Sequence, residues 1–357
     1  MTTRRRLLVL FAAVSLLAVL AGTAVLRAAD RAAEKDRVQE GGPGVARGAV
    51  SLATGGERRI AFRNMAWGPH RDELTTVPAD RPDGPRTASG ISCLRFHAAG
   101  GTGVCLQPGG RAVVLDTSLK ELSAHRLAGV PTRARVSPGG HLAAWTVFVG
   151  GDSYAGTDFS TRTSLLDLRT GRFEESLEAF SVRTEDGREY RAADVNFWGV
   201  TFTPDERGFY ATLATGGRTH LVRGDLASRT VGMLRENVEC PSLSPDGTRL
   251  VFKKRVPGLP AEAPWRLYAL DLASGRETPL AETRSVDDQV VWTETKTVAG
   301  TGGGKGPGVG TGGGAAAVVY ALPGDFGADL YTVPADGSGA PRRLMSSALA
   351  PAFMGTG

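Results

Sequence analysis

Four carboxylates, Asp194, Glu239, Asp287 and Asp288, stand just ahead of or at the start of short apolar runs. Two such groups held roughly 5 to 10 Å apart beside a sugar-sized pocket can break a glycosidic bond, one as acid and the other as base or nucleophile. These four would meet only if the fold returned each of them to one axis. Other catalytic patterns fail on particular residues. The hydrolase elbow Gly-x-Ser-x-Gly is not completed by Gly151-Asp152-Ser153-Tyr154-Ala155. Gly304-Lys305 lies in a glycine-rich stretch, but Ala299 occupies the first glycine position of a phosphate loop and Gly306 follows the lysine where Ser or Thr is needed. His70, His97, His125, His141 and His220 are scattered without zinc-ligand spacing, as expected of turn or surface histidines. No catalytic residue, metal ligand or cofactor is therefore assigned.

The elements that must position any site announce themselves by repetition. Val136-Ser137-Pro138-Gly139-Gly140, Phe202-Thr203-Pro204-Asp205-Glu206 and Leu243-Ser244-Pro245-Asp246-Gly247 each lead into an apolar strand-like run. Proline presets φ at the first central position of a turn and glycine accepts the positive φ needed to leave it, so the chain reverses at each phrase. The clearest unit runs from Cys240 to Glu282: Pro241 to Ser244, Arg249 to Lys253, Arg266 to Leu272 and Glu277 to Ala281 read as four antiparallel strands. Such a unit is one blade of a propeller. Comparable sets start near Ser92, Thr132, Val200 and Gln289. The ends supply a further blade. Arg58 to Arg63, Glu73 to Ala79 and Pro85 to Ala88 lack an inner strand, and Ala350-Pro351-Ala352-Phe353 is an inner strand without a blade. The expected fold is thus all-β, a six-bladed β-propeller closed by pairing of its N- and C-terminal segments. Asp167, Asp225, Asp246 and Asp271 are expected as turn formers.

These motifs resemble the TolB-type β-propeller family, whose units carry Ser-Pro-Asp-Gly before an apolar strand and Asp-Leu-x-x-Gly after the third. Ser244 to Gly247 with Asp271-Leu272-Ala273-Ser274-Gly275 carries both halves. Asp167-Leu168-Arg169-Thr170-Gly171, Ser137-Pro138-Gly139, Pro204-Asp205 and Asp225-Leu226 are partial copies, and the resemblance covers residues 57 to 354. It implies an envelope-associated binding scaffold and does not carry a partner over.

Leu7 to Leu26 contains no charge. Twenty helical residues span roughly 30 Å, the thickness of a bilayer's hydrocarbon core. The preceding Arg4-Arg5-Arg6 should stay cytoplasmic, which places the rest outside, whether the segment remains as an anchor or is cleaved as a signal peptide. The expected organisation is a signal or anchor helix over 1–27, a flexible spacer over 28–56 and the propeller over 57–357. Of the formal charge of +5, Arg4, Arg5, Arg6 and Arg27 account for all but +1, so the body has no footprint for nucleic acid. Cys93 and Cys105 lie symmetrically about Ala99 in a strand, turn, strand pattern. Two readings stand: a disulfide worth about 3 kcal/mol in an oxidising exterior, or two buried thiols. Cys240 is expected as a small apolar residue near a strand start.

Function on a rigid propeller belongs to its loops. Val149 to Arg162, Arg183 to Asn196, Met65 to Asp72 and Val256 to Pro264 are expected to share one face, carrying Trp67, Tyr154, Phe159, Tyr190, Phe197, Trp198 and Trp265. Aromatic anchors of this kind suit a protein, peptide or envelope-glycan partner. The leading expectation is a non-enzymatic extracytoplasmic binding scaffold. The alternative is a propeller lyase or glycoside hydrolase acting at the axial funnel through the four carboxylates.

Overall fold

The computed structural model describes residues 3–36, 42–149, 160–293 and 316–355. One helix, Thr3–Asp36, opens the chain, and its window Ala13–Asp30 has a mean hydropathy of 1.6, long and apolar enough to cross a membrane. Among the described residues the strands fall into six sheets ranged around one axis. The first blade is Arg95–Ala99, Thr102–Gln107, Arg111–Leu115 and Glu121–Arg126; the second is Val130–Val136, Leu142–Val149, Ser160–Asp167 and Arg172–Glu174. The third begins with Asn196–Phe202 and Gly208–Thr215, the fourth with Glu239–Leu243 and Arg249–Arg255, and the fifth with Val291–Trp292 and Ala317–Gly324. The closing blade takes Ala348–Met354 as its inner strand, paired antiparallel to Arg59–Asn64. Interleaved apolar faces of neighbouring blades form the core, with Tyr320, Phe62, Phe197, Phe209 and Phe252 fully buried.

The turns show why the repeated phrases recur. Ser244 Oγ donates to Asp246 Oδ1 at 2.5 Å and accepts from Arg249 N at 2.9 Å, while Gly247 leaves the turn at φ +72°. In the third blade Glu206 stands where glycine is preferred, at φ +56°. Its carboxylate reaches the second blade, accepting from Ser137 Oγ at 2.5 Å and meeting His141 Nδ1 at 2.7 Å. The second blade has glycine at 139 where the full motif has aspartate, and a Cβ there would lie 2.6 Å from Glu206 Oε1. The two departures from the motif are therefore the two halves of one interblade contact.

Closure is locked by Arg86 of the closing blade. Its buried guanidinium donates to Asn64 Oδ1 at 2.7 Å, Ser347 O at 2.9 Å and Ser346 O at 2.5 Å, and it lies 5.0 Å from the Phe62 ring centre. Inner strands have an unpaired edge at the axis, and those of the second, third, fourth and closing blades carry bulges. Gly199, Cys240 and Ala350 each sit at positive φ, the last two followed by proline, which has no N–H to offer a foreign strand.

Three expectations change. The stretch 28–56 is not uniformly a spacer: the helix runs to Asp36, Val45–Arg47 pairs in parallel with Arg86–Ser92, and Val50 and Leu52 are buried, because the outer edge of the closing blade offers both hydrogen bonds and apolar surface. The stretch 183–196 is not a free insertion, since Ser181–Arg183 and Glu189–Tyr190 extend the outer edge of the third blade. Cys93 and Cys105 are joined by a disulfide with Cα atoms 5.2 Å apart, but the hairpin is centred on Gly100-Gly101 and pairs Cys105 with Phe96. Cys93 precedes the strand and reaches its partner diagonally.

Replacing Arg86 with Ala removes three charge-assisted hydrogen bonds and is expected to cost about 2–4 kcal/mol in urea unfolding, after allowance for the desolvation it relieves. Burial opposes ionisation of Glu206, but the Ser137 and His141 hydrogen bonds outweigh it and hold its pKa below the ordinary 4.5. A folded pKa below the unfolded one stabilises above about pH 4.5, and the gain disappears as pH falls through the lower folded value. Glu206→Gly places the residue best suited to positive φ and should still lower stability by about 1 kcal/mol at pH 7, with the difference shrinking as pH falls below the ordinary carboxyl value; an unchanged or raised Tm at pH 7 would show that the contact contributes nothing.

Candidate functional site

The face on which the inner strands begin carries a cavity of about 240 Å³ on the axis. It is walled by Arg95, Arg133, Thr161, Trp198, Glu239 and Trp265, with Lys253, Arg255 and Asp287 among its charged groups. Several come from strand ends: Arg95 and Glu239 open inner strands, Lys253 and Arg255 lie at the end of the second strand of the fourth blade, and Trp265 opens its third; Arg133 and Trp198 lie within inner strands, and Asp287 precedes the fifth blade. A separate cavity of about 290 Å³ opens on the opposite face, among the turns around Pro138, Pro204 and Pro245. Between them the axis is bridged. Arg135 donates to Val290 O at 3.1 Å, and Gln289 Nε2 donates to Val200 O at 3.0 Å and Pro241 O at 2.8 Å. The funnel is therefore a closed recess and not a pore.

Its charges are largely matched to one another. Buried Glu239 accepts from Arg255 Nε at 2.8 Å and from Trp265 Nε1 at 3.0 Å. Lys253 Nζ lies 2.5 Å from Asp287 Oδ1 and 3.7 Å from Glu239 Oε2, and 4.4 Å from the Trp265 ring centre. Burial works against the Asp287 charge, yet Lys253 and Arg133 outweigh it and hold its carboxyl below the usual range. Asp288 is buried beside them and accepts from Ala321 N at 3.2 Å. Glycosidase chemistry needs one carboxyl with a raised pKa and a free face. Here Glu239 and Asp287 share one ammonium ion, which favours the ionised form of Asp287. Asp194 is elsewhere, accepting from Thr215 Oγ1 at 2.7 Å and Gly216 N at 2.6 Å beyond the third blade's second strand.

The aromatic residues expected on one face are divided. Trp198 reaches the funnel wall, as does Trp265. Trp67 is on the same face but packs edge-on against Phe326 of the fifth blade, with centroids 5.9 Å apart. Tyr190 is on the outer edge, its hydroxyl 2.9 Å from Thr215 Oγ1. Tyr154 and Phe159, and most of the loops over 149–162 and 299–314, lie outside the described residues. Cys240 is buried, as expected of a small apolar residue near a strand start. His97 is neither a turn nor a surface residue; it is buried, accepts from Val136 N and touches Arg135. Asp167, Asp225 and Asp271 each accept a backbone N–H two or three residues ahead, as turn formers do. Among the described residues no three His, Cys, Asp or Glu side chains converge as a metal site would require. The cationic lining was missed at the sequence level. Lys253-Lys254-Arg255 at a strand end was its one local signal.

No protein-family model matches the chain and no curated protein is similar to it in sequence. Among solved structures, TolB from Acinetobacter baumannii is similar with a TM-score of 0.51 at 18% identity, over 84% of this chain and 67% of that one. Hydrazine synthase of Kuenenia stuttgartiensis follows with 0.42 at 16%, over 67% and 66%. The dihydro-heme d1 dehydrogenase NirN gives 0.44 at 13%, over 87% and 58%. At this identity the likeness concerns the fold, which is a TolB-like six-bladed β-propeller.

Lys253→Met removes the ammonium that Glu239 and Asp287 share and should cost about 3 kcal/mol or more, because a buried carboxylate loses a counter-charge. Asp287→Asn, at an exposed carboxylate, should cost less than about 1 kcal/mol. Urea unfolding of the two variants checks the order; equal losses would show that the pairing does not organise the funnel.

Proposed function

We propose that the protein is an extracytoplasmic recognition module that receives a segment of a protein or peptide partner at the mouth of its funnel. The observation that carries this reading is the recess itself. It is a dead-end cavity lined by aromatic rings and fixed charges, on the face from which the second-to-third-strand connections emerge. Its carboxylates are ion-paired, which suits a preorganised binding surface better than proton transfer. An outside location is supported by Arg4-Arg5-Arg6 ahead of the apolar helix and by the Cys93–Cys105 disulfide, a bond that persists in oxidising compartments. A TolB-like fold is compatible with a protein-binding scaffold.

The test places a photo-crosslinking amino acid at Phe148, on the funnel rim, or at Pro138, exposed on the opposite face, in the full-length chain in its own cells. Adducts at Phe148 that are absent at Pro138 and lost on adding Trp265→Ala are expected. Adducts at Pro138 alone, or at neither position, would overturn the reading.

A further inference from the structure

The funnel floor holds more hydrogen-bond donors than the protein satisfies. Arg95, Arg133, Lys253 and Arg255 face only two lining carboxylates, Glu239 and Asp287. Arg255 is matched to Glu239 at 2.8 Å and Lys253 to Asp287 at 2.5 Å. Arg133 donates to Thr132 O at 2.9 Å and lies 3.7 Å from Asp287. Arg95 differs from all of these. Among the described residues its guanidinium makes no hydrogen bond and no close ion pair, although it lines both the funnel and the small space beneath it. Burial first, and then repulsion from Arg133 and Arg63, bring its pKa down to about 10 against the attraction of Asp288 and Asp287. A guanidinium has five N–H donors in a planar fork. Half-buried Arg95 lines the recess with its fork unmatched, and beside it Arg133 keeps a buried Nε without an acceptor among the described residues, a costly arrangement.

We propose that the funnel floor is a carboxylate-binding site in which the Arg95 fork takes both oxygens of one carboxylate and Arg133 supplies the second positive charge. The inference rests on the recognition reading above and names the group that is seated. Carboxylate is favoured over phosphate for two reasons. The fork matches its planar pair of oxygens, and the negative charges of Asp287 in the funnel and of Asp288 in the small space beneath it would repel a dianion more strongly than a monoanion. Trp198 and Trp265 wall the recess, so a carboxylate borne on a flat or apolar body fits best. Its source is either the end or acidic side chain of a partner peptide or a free organic acid.

The experiment titrates 4-fluorobenzoate and its neutral isostere 4-fluorobenzamide into the full-length chain in detergent, read by fluorine NMR. The benzoate should bind at least about tenfold more tightly. Arg95→Gln should abolish that preference, and Arg126→Gln, on the exposed outer strand of the first blade, should leave it intact. Acetate should displace the probe better than inorganic phosphate. A short peptide with a free C-terminus, compared with its amide, separates a peptide source from a free acid. If Arg95→Gln does not fold, the Trp265 indole N–H resonance of the unmodified chain decides, since it must shift with benzoate and stay put with benzamide. Equal binding of the two probes, a preference that survives in folded Arg95→Gln, or stronger displacement by phosphate would overturn the proposal. Rim crosslinks at Phe148 without a benzoate preference would remove this inference alone; the loss of both would remove the recognition reading as well.

Discussion

Every feature of this molecule depends on one antiparallel pairing, that of Arg59–Asn64 with Ala348–Met354. It joins the two ends of the repeat array and converts a row of sheets into a ring. The entropic cost of joining chain ends grows only logarithmically with the chain between them, so a few strand hydrogen bonds and one buried arginine suffice. Arg86 belongs to the segment before the first blade and grips carbonyls of Ser346 and Ser347 after the fifth. Closing the ring encloses an axis, and only then can Arg135 of the second blade meet Val290 at the entrance to the fifth.

Within the ring, irregularity is placed where blades must recognise one another. Gly139 and Glu206 each weaken the local turn motif, yet together they form a buried contact between the second and third blades. The inner strands repeat this logic at the axis, where Gly199 is required because a Cβ would stand 2.8 Å from the Cα of Cys240. A turn that is locally less favourable is retained because the tertiary contact it permits is worth more than the backbone strain.

The funnel illustrates how a body with almost no net charge can still present a charged recess. Glu239, Lys253, Arg255 and Asp287 neutralise one another through short contacts in a partly dry space, which fixes their geometry. Rigid pairs of this kind lower the cost of ordering a site when a ligand arrives. Trp265 completes the arrangement by donating to Glu239 while its ring meets Lys253 and Arg255.

The blade grammar was legible in the residues because turns and strands are local. Ser244-Pro245-Asp246-Gly247 makes its own hydrogen bonds within five residues, and alternation along Arg266 to Leu272 needs no distant information. The closing of the ring was legible too, since three strands without an inner partner and an inner strand without a blade complete each other. The apolar helix and its arginines were equally plain. The funnel was not. His97 and Arg135 are 38 residues apart and Arg135 and Val290 are 155 apart, and no spacing rule along the chain predicts which side chains a ring will turn toward its axis. Local sequence thus determined the strands, the turns and the helix, through backbone preferences and short-range hydrogen bonds. Which carboxylates are neutralised, which tryptophans reach a cavity and which arginine is left without a partner were decided by the tertiary structure, because those properties arise only when six blades converge.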